Sequence, residues 1–169
     1  MMEKERSQLF EQLLEQNKGI LFKVARTYCR DAADQQDLIQ EIMVQLWQAF
    51  HKYDERLKFS TWFYRIALNV AISFYRKNTH RKSRDIPLQE QLDQLEDSAD
   101  TEKEGHLVLL EQFINELNDL DKALILLYLE DKSHTEIAHI LGISVSNVGT
   151  KIGRIKEKLK QRFSQHKNY

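Results

Sequence analysis

The chain of 169 residues has one cysteine, one proline and five glycines, and each scarcity excludes something. A lone Cys29 forbids an internal disulfide and any zinc site built from several cysteines, and it fits a reducing cytoplasm. With Pro87 alone, and glycine only at positions 19, 105, 142, 149 and 153, the turn chemistry of a β-rich fold is missing. No apolar run exceeds the seven residues Ala123–Leu129, far short of the roughly 20 that a membrane helix requires. Met1 to Phe10 are charged and lack the apolar centre of a signal peptide. Abundant Leu, Glu, Gln and Lys complete the expectation of an all-α, soluble, cytoplasmic protein without membrane insertion.

Charge of one sign is also missing from particular stretches. The formal net charge of −1 hides a strong segregation. No acidic residue occurs from Phe59 to Arg84, whereas Arg65, Arg76, Lys77, Arg81, Lys82 and Arg84 are basic. From Asp85 to Glu104 the sign reverses, with Lys103 the only base among eight acids. After Ser146 seven lysines and arginines face a single Glu157. Two basic patches therefore flank an acidic connector, and basic patches are the electrostatic footprint of nucleic-acid binding.

Helical periodicity runs through both basic halves. Leu9, Phe10, Leu13 and Leu14 form one stripe, and Ile20, Leu21, Val24, Ala25 and Tyr28 form a second. Asn17-Lys18-Gly19 is the expected break between them. Leu38, Ile39, Ile42, Met43, Leu46, Trp47 and Phe50 predict a third apolar face, with Asp34 as its N-cap. A loop over His51 to Phe59 precedes a fourth helix that Ser60 caps, with Trp62, Ile66, Val70 and Phe74 turned inward. The spacing thus makes Trp62 a core residue. Residues 85–104 read as a flexible acidic linker, with transient helix around Leu88 to Leu95. Leu107, Leu110, Phe113, Ile114 and Leu117 then begin a second domain, followed by the Ala123–Leu129 helix and helices near 134–141 and 144–163.

The segment from His134 to Gly153 has the form of a helix-turn-helix. Ala138 is small where two helices approach, Gly142 suits a left-handed turn, and Ser144 is an N-cap. Ile137, Leu141, Ile143 and Val148 supply the apolar contacts. On the second helix Val145, Val148, Ile152, Ile155 and Leu159 share one face, which leaves Ser144, Ser146, Asn147, Thr150, Lys151 and Arg154 to meet DNA. An ordinary helical hairpin with a solvated face is the competing reading, and the spacing, turn glycine and basic tail together outweigh it.

The stretch from Asp37 to Trp47, the stretch from Lys58 to Val70, the basic run to Arg84 and the helix-turn-helix together resemble the sigma-70 family, in its extracytoplasmic-function group. The resemblance implies domain boundaries at 1–84 for region two, 85–104 for the linker and 105–169 for a region-four helix-turn-helix domain. It implies a subunit that directs RNA polymerase to promoters, with no catalytic residue, metal or cofactor of its own. It further implies that Asp37, Gln40, Glu41, Gln45 and Gln48 dock on the β′ clamp helices of core polymerase, the β flap being a second contact. Phe59, Ser60, Thr61, Tyr64, Arg65, Asn69, Arg76 and Lys77 would meet the minus-ten element, where an extruded base is stacked and hydrogen-bonded. Residues 144–154 would meet the minus-thirty-five element, and an anti-sigma protein is an expected partner.

The chain departs from the family pattern at Gly149 and Gly153, where larger side chains are usual. They either let the backbone approach DNA closely or leave a shape-based reading. Two other function classes compete. A stand-alone helix-turn-helix regulator does not account for the basic aromatic helix at 60–84. An enzyme on nucleic acid would need a glycine-rich phosphate loop or a zinc-deaminase signature, and neither is present. His134 and His139, five apart, read as surface histidines rather than metal ligands.

Overall fold

A computed structural model describes residues 2–85 and 102–167, with side chains over 2–78 and 105–165. Among the described residues seven α-helices follow in order: α1 Glu3–Tyr28, α2 Ala32–Ala49, α3 Phe59–Asp85, α4 Glu102–Glu116, α5 Asp119–Leu129, α6 His134–Leu141 and α7 Val145–Lys167. There is no strand among the described residues, so the all-α expectation holds. None of these helices is long and apolar enough to cross a membrane. The acidic segment, with its expected transient helix at 88–95, falls mostly at 86–101, outside the described residues.

The first half is a bundle of α1, α2 and α3. Val24, Leu38, Ile42, Leu46, Phe63 and Leu68 are fully enclosed where these helices meet. Two expectations fail here. The break at Asn17–Gly19 does not occur: α1 runs straight through, with the Asn17 amide donating to the Leu13 carbonyl at 2.8 Å and Lys18 paired with Glu15 at 2.7 Å. A single glycine costs a helix only about 1 kcal/mol, and burial of both apolar stripes against one bundle exceeds that. The cap of α2 is Asp31, which accepts from Ala33 N at 3.1 Å, while Asp34 lies in the first turn. A carboxylate in that turn favours the helix start through the macrodipole without capping it.

A short 3-10 turn at Phe50–Lys52 and the loop 53–58 lead into α3. Because α3 begins at Phe59, Ser60 belongs to its first turn and does not precede it as a cap. Its hydroxyl oxygen is buried without a hydrogen-bond partner among the described residues. Trp62 is buried, as its spacing predicts. Phe50, Tyr53, Phe59, Trp62 and Phe63 form a chain of ring contacts with centroids 5.1 to 6.1 Å apart.

In the second half α5 is the buried hub, with Ala123, Leu124 and Leu127 fully enclosed. Leu109 and Phe113 come from α4 and Leu117 from the bend that follows it, while Leu107 points to solvent. Ile137, Ala138, Ile140, Val148, Ile152 and Ile155 close the core from α6 and α7. Ile140 takes the inner place that the sequence reading gives to Leu141, which is half-buried. The two halves share one continuous apolar core, with α5 packed on α1 and α3, and α6 on α3.

Candidate nucleic-acid interface

The sharpest local geometry is at α6 and α7. Ser133 caps α6 by accepting from Glu136 N at 3.1 Å. Gly142 ends it with φ 71°, a conformation that costs an L-residue about 1–2 kcal/mol and glycine nothing. The Gly142 and Ile143 amides both donate to the Ala138 carbonyl, at 2.9 and 3.2 Å, which turns the chain sharply. Ser144 then accepts from Asn147 N at 3.1 Å and caps α7. With Val148, Ile152 and Ile155 fixed inward, Ser146, Asn147, Thr150 and Arg154 are exposed on the far side. Ser144 is exposed at its start and Lys151 is half-buried on its flank. Val145, expected on the apolar face, is 47% exposed because it precedes the point where α7 meets α6.

The aromatic helix presents a different surface from the one its sequence suggests. Phe59, Thr61 and Tyr64 are buried, so the rings that an extruded base would stack on face inward. Burial also pushes the Tyr64 phenol up to about 12, with Glu130 adding to the shift. Asn69 and Lys77 are exposed. In the loop before α3, Arg56 clasps Asp54 through its backbone N at 3.0 Å and its guanidinium at 2.9 Å. The guanidinium and that amide hold the Asp54 carboxyl below the usual carboxylate range. Tyr53 braces the loop by donating to the Leu57 carbonyl at 2.9 Å.

On α2 the burial of Leu38, Ile42 and Leu46 turns Asp37, Gln40, Glu41, Gln45 and Gln48 to solvent. Glu41 and Gln45 are joined at 3.2 Å. Sequence reasoning missed three apolar neighbours: Met43, Val44 and Trp47 are 38, 49 and 44% exposed. Met43 and Trp47 therefore leave the core stripe assigned to them. The helix has only a narrow buried edge, and Trp47 lies beside Phe10 with centroids 5.2 Å apart. Val44 is four residues after Gln40 and four before Gln48, at the centre of the outward face. That spacing was the signal available.

The interface between the halves occupies several of the candidate groups. Arg65 donates to the His139 carbonyl on α6 at 2.8 Å, and Arg76 pairs with Asp119 at 2.5 Å. Tyr28 donates to the Asp119 carbonyl at 2.7 Å, and Lys23 pairs with Glu130 at 2.6 Å. Lys122, 2% exposed, places its ammonium 4.3 Å from the centroid of Tyr75 and 5.9 Å from that of Tyr28. Desolvation, with Arg30 adding to it, lowers the Lys122 pKa to about 8. Lys132 lies over the Tyr64 ring at 5.7 Å. The described residues hold no group of three or more His, Cys, Asp or Glu suited to a metal ion.

Comparison with known proteins accounts for both halves. Residues 13–81 match sigma-70 region 2, and residues 107–159 match sigma-70 region 4. The chain is 29% identical over 159 residues to the RNA polymerase sigma factor NccH of Alcaligenes xylosoxydans xylosoxydans, covering 89% of this chain and 84% of that protein. It is 28% identical over 138 residues to the ECF RNA polymerase sigma factor SigM of Bacillus subtilis, covering 79% of this chain and 82% of SigM. Among solved structures, CnrH in complex with the cytosolic domain of CnrY superposes with a TM-score of 0.68 at 23% identity, over 94% of this chain and 90% of that one. The sigma factor RpoE of Bartonella quintana, in complex with the anti-sigma factor NepR, gives a TM-score of 0.71 at 18% identity, over 92% and 96%. With a region-2 bundle and a region-4 helix-turn-helix in the expected order, the chain belongs to the sigma-70 family in its extracytoplasmic-function group, a sigma factor that binds RNA polymerase and directs promoter-specific transcription initiation.

Proposed function

We propose that the work of initiation is divided among three surfaces of this chain. The outward face of α2, with Asp37, Gln40, Glu41, Gln45 and Gln48 around Val44 and Trp47, docks on the β′ clamp helices. A polar face with an apolar centre is the composition of a protein–protein contact. The loop 53–58 and α3 meet the minus-ten element through Asn69, Arg65, Arg76 and Lys77, and α7 meets the minus-thirty-five element through Ser144, Ser146, Asn147, Thr150, Lys151 and Arg154. The second half also touches the β flap. Residues 1–84, 85–104 and 105–169 act as reader, linker and reader. The chain supplies no bond-forming chemistry and needs no cofactor; polymerase performs the reaction.

The observation that carries this reading is the capped helix-turn-helix, whose exposed α7 face is polar and basic while its inner face is wholly apolar. In the closed packing Arg65 and Arg76 are held by the second half, and Phe59 and Tyr64 are buried. Reading two separated elements therefore requires the halves to part. Twenty linker residues, extended, reach about 65 Å, somewhat under two turns of DNA at about 34–36 Å each. Tethering then raises the effective concentration of the second reader at its site. A protein that holds the halves together would act as an anti-sigma partner in the cytoplasm, and the likeness to RpoE bound to NepR supports that class.

Run-off transcription with purified core polymerase tests the proposal. Promoter-dependent transcripts are expected with the wild type and their loss with Arg154→Ala. Tight sequence-specific binding by the free chain, with no effect on core polymerase, would establish a stand-alone regulator in its place.

A further inference from the structure

A cleft of about 220 Å³ lies where the start of α1 faces the Phe50–Lys52 turn and the loop before α3. Leu9, Phe50 and Tyr53 form its apolar part, and Arg6, His51 and Glu55 its polar part. None of the α3 residues assigned to the minus-ten element lines it. The Arg6 guanidinium stands 5.8 Å from the Phe50 centroid, and the Phe50 and Tyr53 rings stack at 5.8 Å. Arg6 and Glu55 share this cleft without an ion pair between them or to any other described residue. The polar groups around them are taken. Asp54 and Arg56 hold each other, and the His51 Nδ1–H donates to the Gln48 carbonyl at 2.7 Å. With its two neighbours turned to one another, Glu55 is left to face the cleft.

We propose that this cleft is a further base site, separate from the α3 face, and that it takes one guanine of the opened promoter strand through Arg6 and Glu55. The inference rests on the reading of loop 53–58 as part of the minus-ten reader. A carboxylate beside DNA is repelled by every phosphate, and the only hydrogen-bond donors the strand offers it are base N–H groups. An extruded base presents its Watson–Crick edge to such a group. On that edge guanine alone has an acceptor, O6, followed by two donors, N1–H and the exocyclic amine. One guanidinium and one carboxylate complement that order: Arg6 donates to O6, and Glu55 accepts from N1–H and from the amine. Adenine and cytosine would set a ring-nitrogen acceptor against the Glu55 oxygens, and thymine has a single donor. Tyr53 is half-buried, so unlike the buried Phe59 and Tyr64 it keeps aromatic surface open to the base plane, with Leu9 beside it.

The experiment uses the full-length chain assembled with core polymerase, and its probe is a pool of promoter duplexes randomised around the minus-ten element. The wild-type holoenzyme is expected to enrich guanine at one position of the opened strand, in or next to that element. Inosine at that position, which lacks only the exocyclic amine, is expected to weaken open-complex formation about tenfold, the loss of one hydrogen bond to a charged acceptor. Glu55→Gln, which turns one acceptor into a donor, should lower the preference for guanine there by about tenfold or more and should no longer distinguish guanine from inosine. Arg6→Met should relax the same position and no other. Thermal unfolding of the Glu55→Gln chain serves as the check on folding, and an exposed side chain predicts little change. An unchanged guanine preference in the Glu55→Gln holoenzyme overturns the proposal while leaving the minus-ten reading intact. Equal loss at every position overturns it too, since Glu55 would then only support the loop. If the wild-type holoenzyme selects no minus-ten element at all, the reading of the loop fails first, and this inference with it.

Discussion

Single residues on this scaffold separate folding from reading. Asn69 is exposed on α3 between half-buried Ile66 and Val70, with no described partner, so its amide is free for DNA. Asn69→Ala is expected to leave the unfolding midpoint unchanged while lowering run-off transcription about tenfold, the equivalent of roughly 1.4 kcal/mol. The glycines offer a second separation. Gly142→Ala places a side chain at φ 71° and should destabilise the protein by about 1–2 kcal/mol. Gly153→Ala, with open space around its Cβ, should stabilise it by about 1 kcal/mol by favouring the helix. Urea unfolding midpoints that moved in the same direction for both would contradict this account of the turn and of α7.

At the scale of elements, α2 carries the test of polymerase docking. Val44 is half exposed and central to the outward face, so Val44→Lys should leave the bundle intact. Co-elution with core polymerase should fall more than tenfold, as expected for a charge buried at the centre of an interface. Spacing puts Val44 on the outward face with the polar residues around it, but periodicity marks the buried edge of a helix and says nothing about partners. The same limit explains Met43 and Trp47. Both fit a helical stripe, yet a three-helix bundle covers only the strip at Leu38, Ile42 and Leu46. Helix-turn-helix geometry was more legible, since Gly142 and Ser144 act through local backbone chemistry that does not depend on distant contacts.

For the whole molecule, the proposed parting of the halves is an equilibrium that chemistry can shift. Arg76 and Asp119 are 70 and 19% exposed, so their ion pair contributes at most about 1 kcal/mol to closure. Asp119→Asn is then expected to raise the population of separated halves by up to about fivefold, read as a change in energy transfer between dyes on α2 and α7. Lys122 provides a pH dependence. Its pKa is lowered from the usual lysine value of 10.5 to about 8, so the closed state binds fewer protons than a state that exposes the amine. Closure should therefore strengthen as pH rises from about 8 towards 10, and it should not change with pH well below 8. Tyr28 is raised by burial and by Asp119, which opposes closure only above about pH 10, where exposed phenols ionise. Energy transfer that fell between pH 8 and 10 would refute the assignment.

What the sequence determined by itself is whatever local chemistry and periodicity can specify. Sparse turn residues pointed to a helical chain, charge segregation marked two basic segments, and the spacing around Gly142 defined the turn between α6 and α7. Tertiary structure alone decided the rest. It buried Phe59 and Tyr64 rather than offering them to a base, joined α1 across Gly19, and set the His134 ring against Gly149. Each of these outcomes is a choice among surfaces that a helix presents equally well. Only packing against a neighbour, gaining about 25 cal/mol for every Å² of apolar surface removed from water, makes one choice lower in free energy than the others.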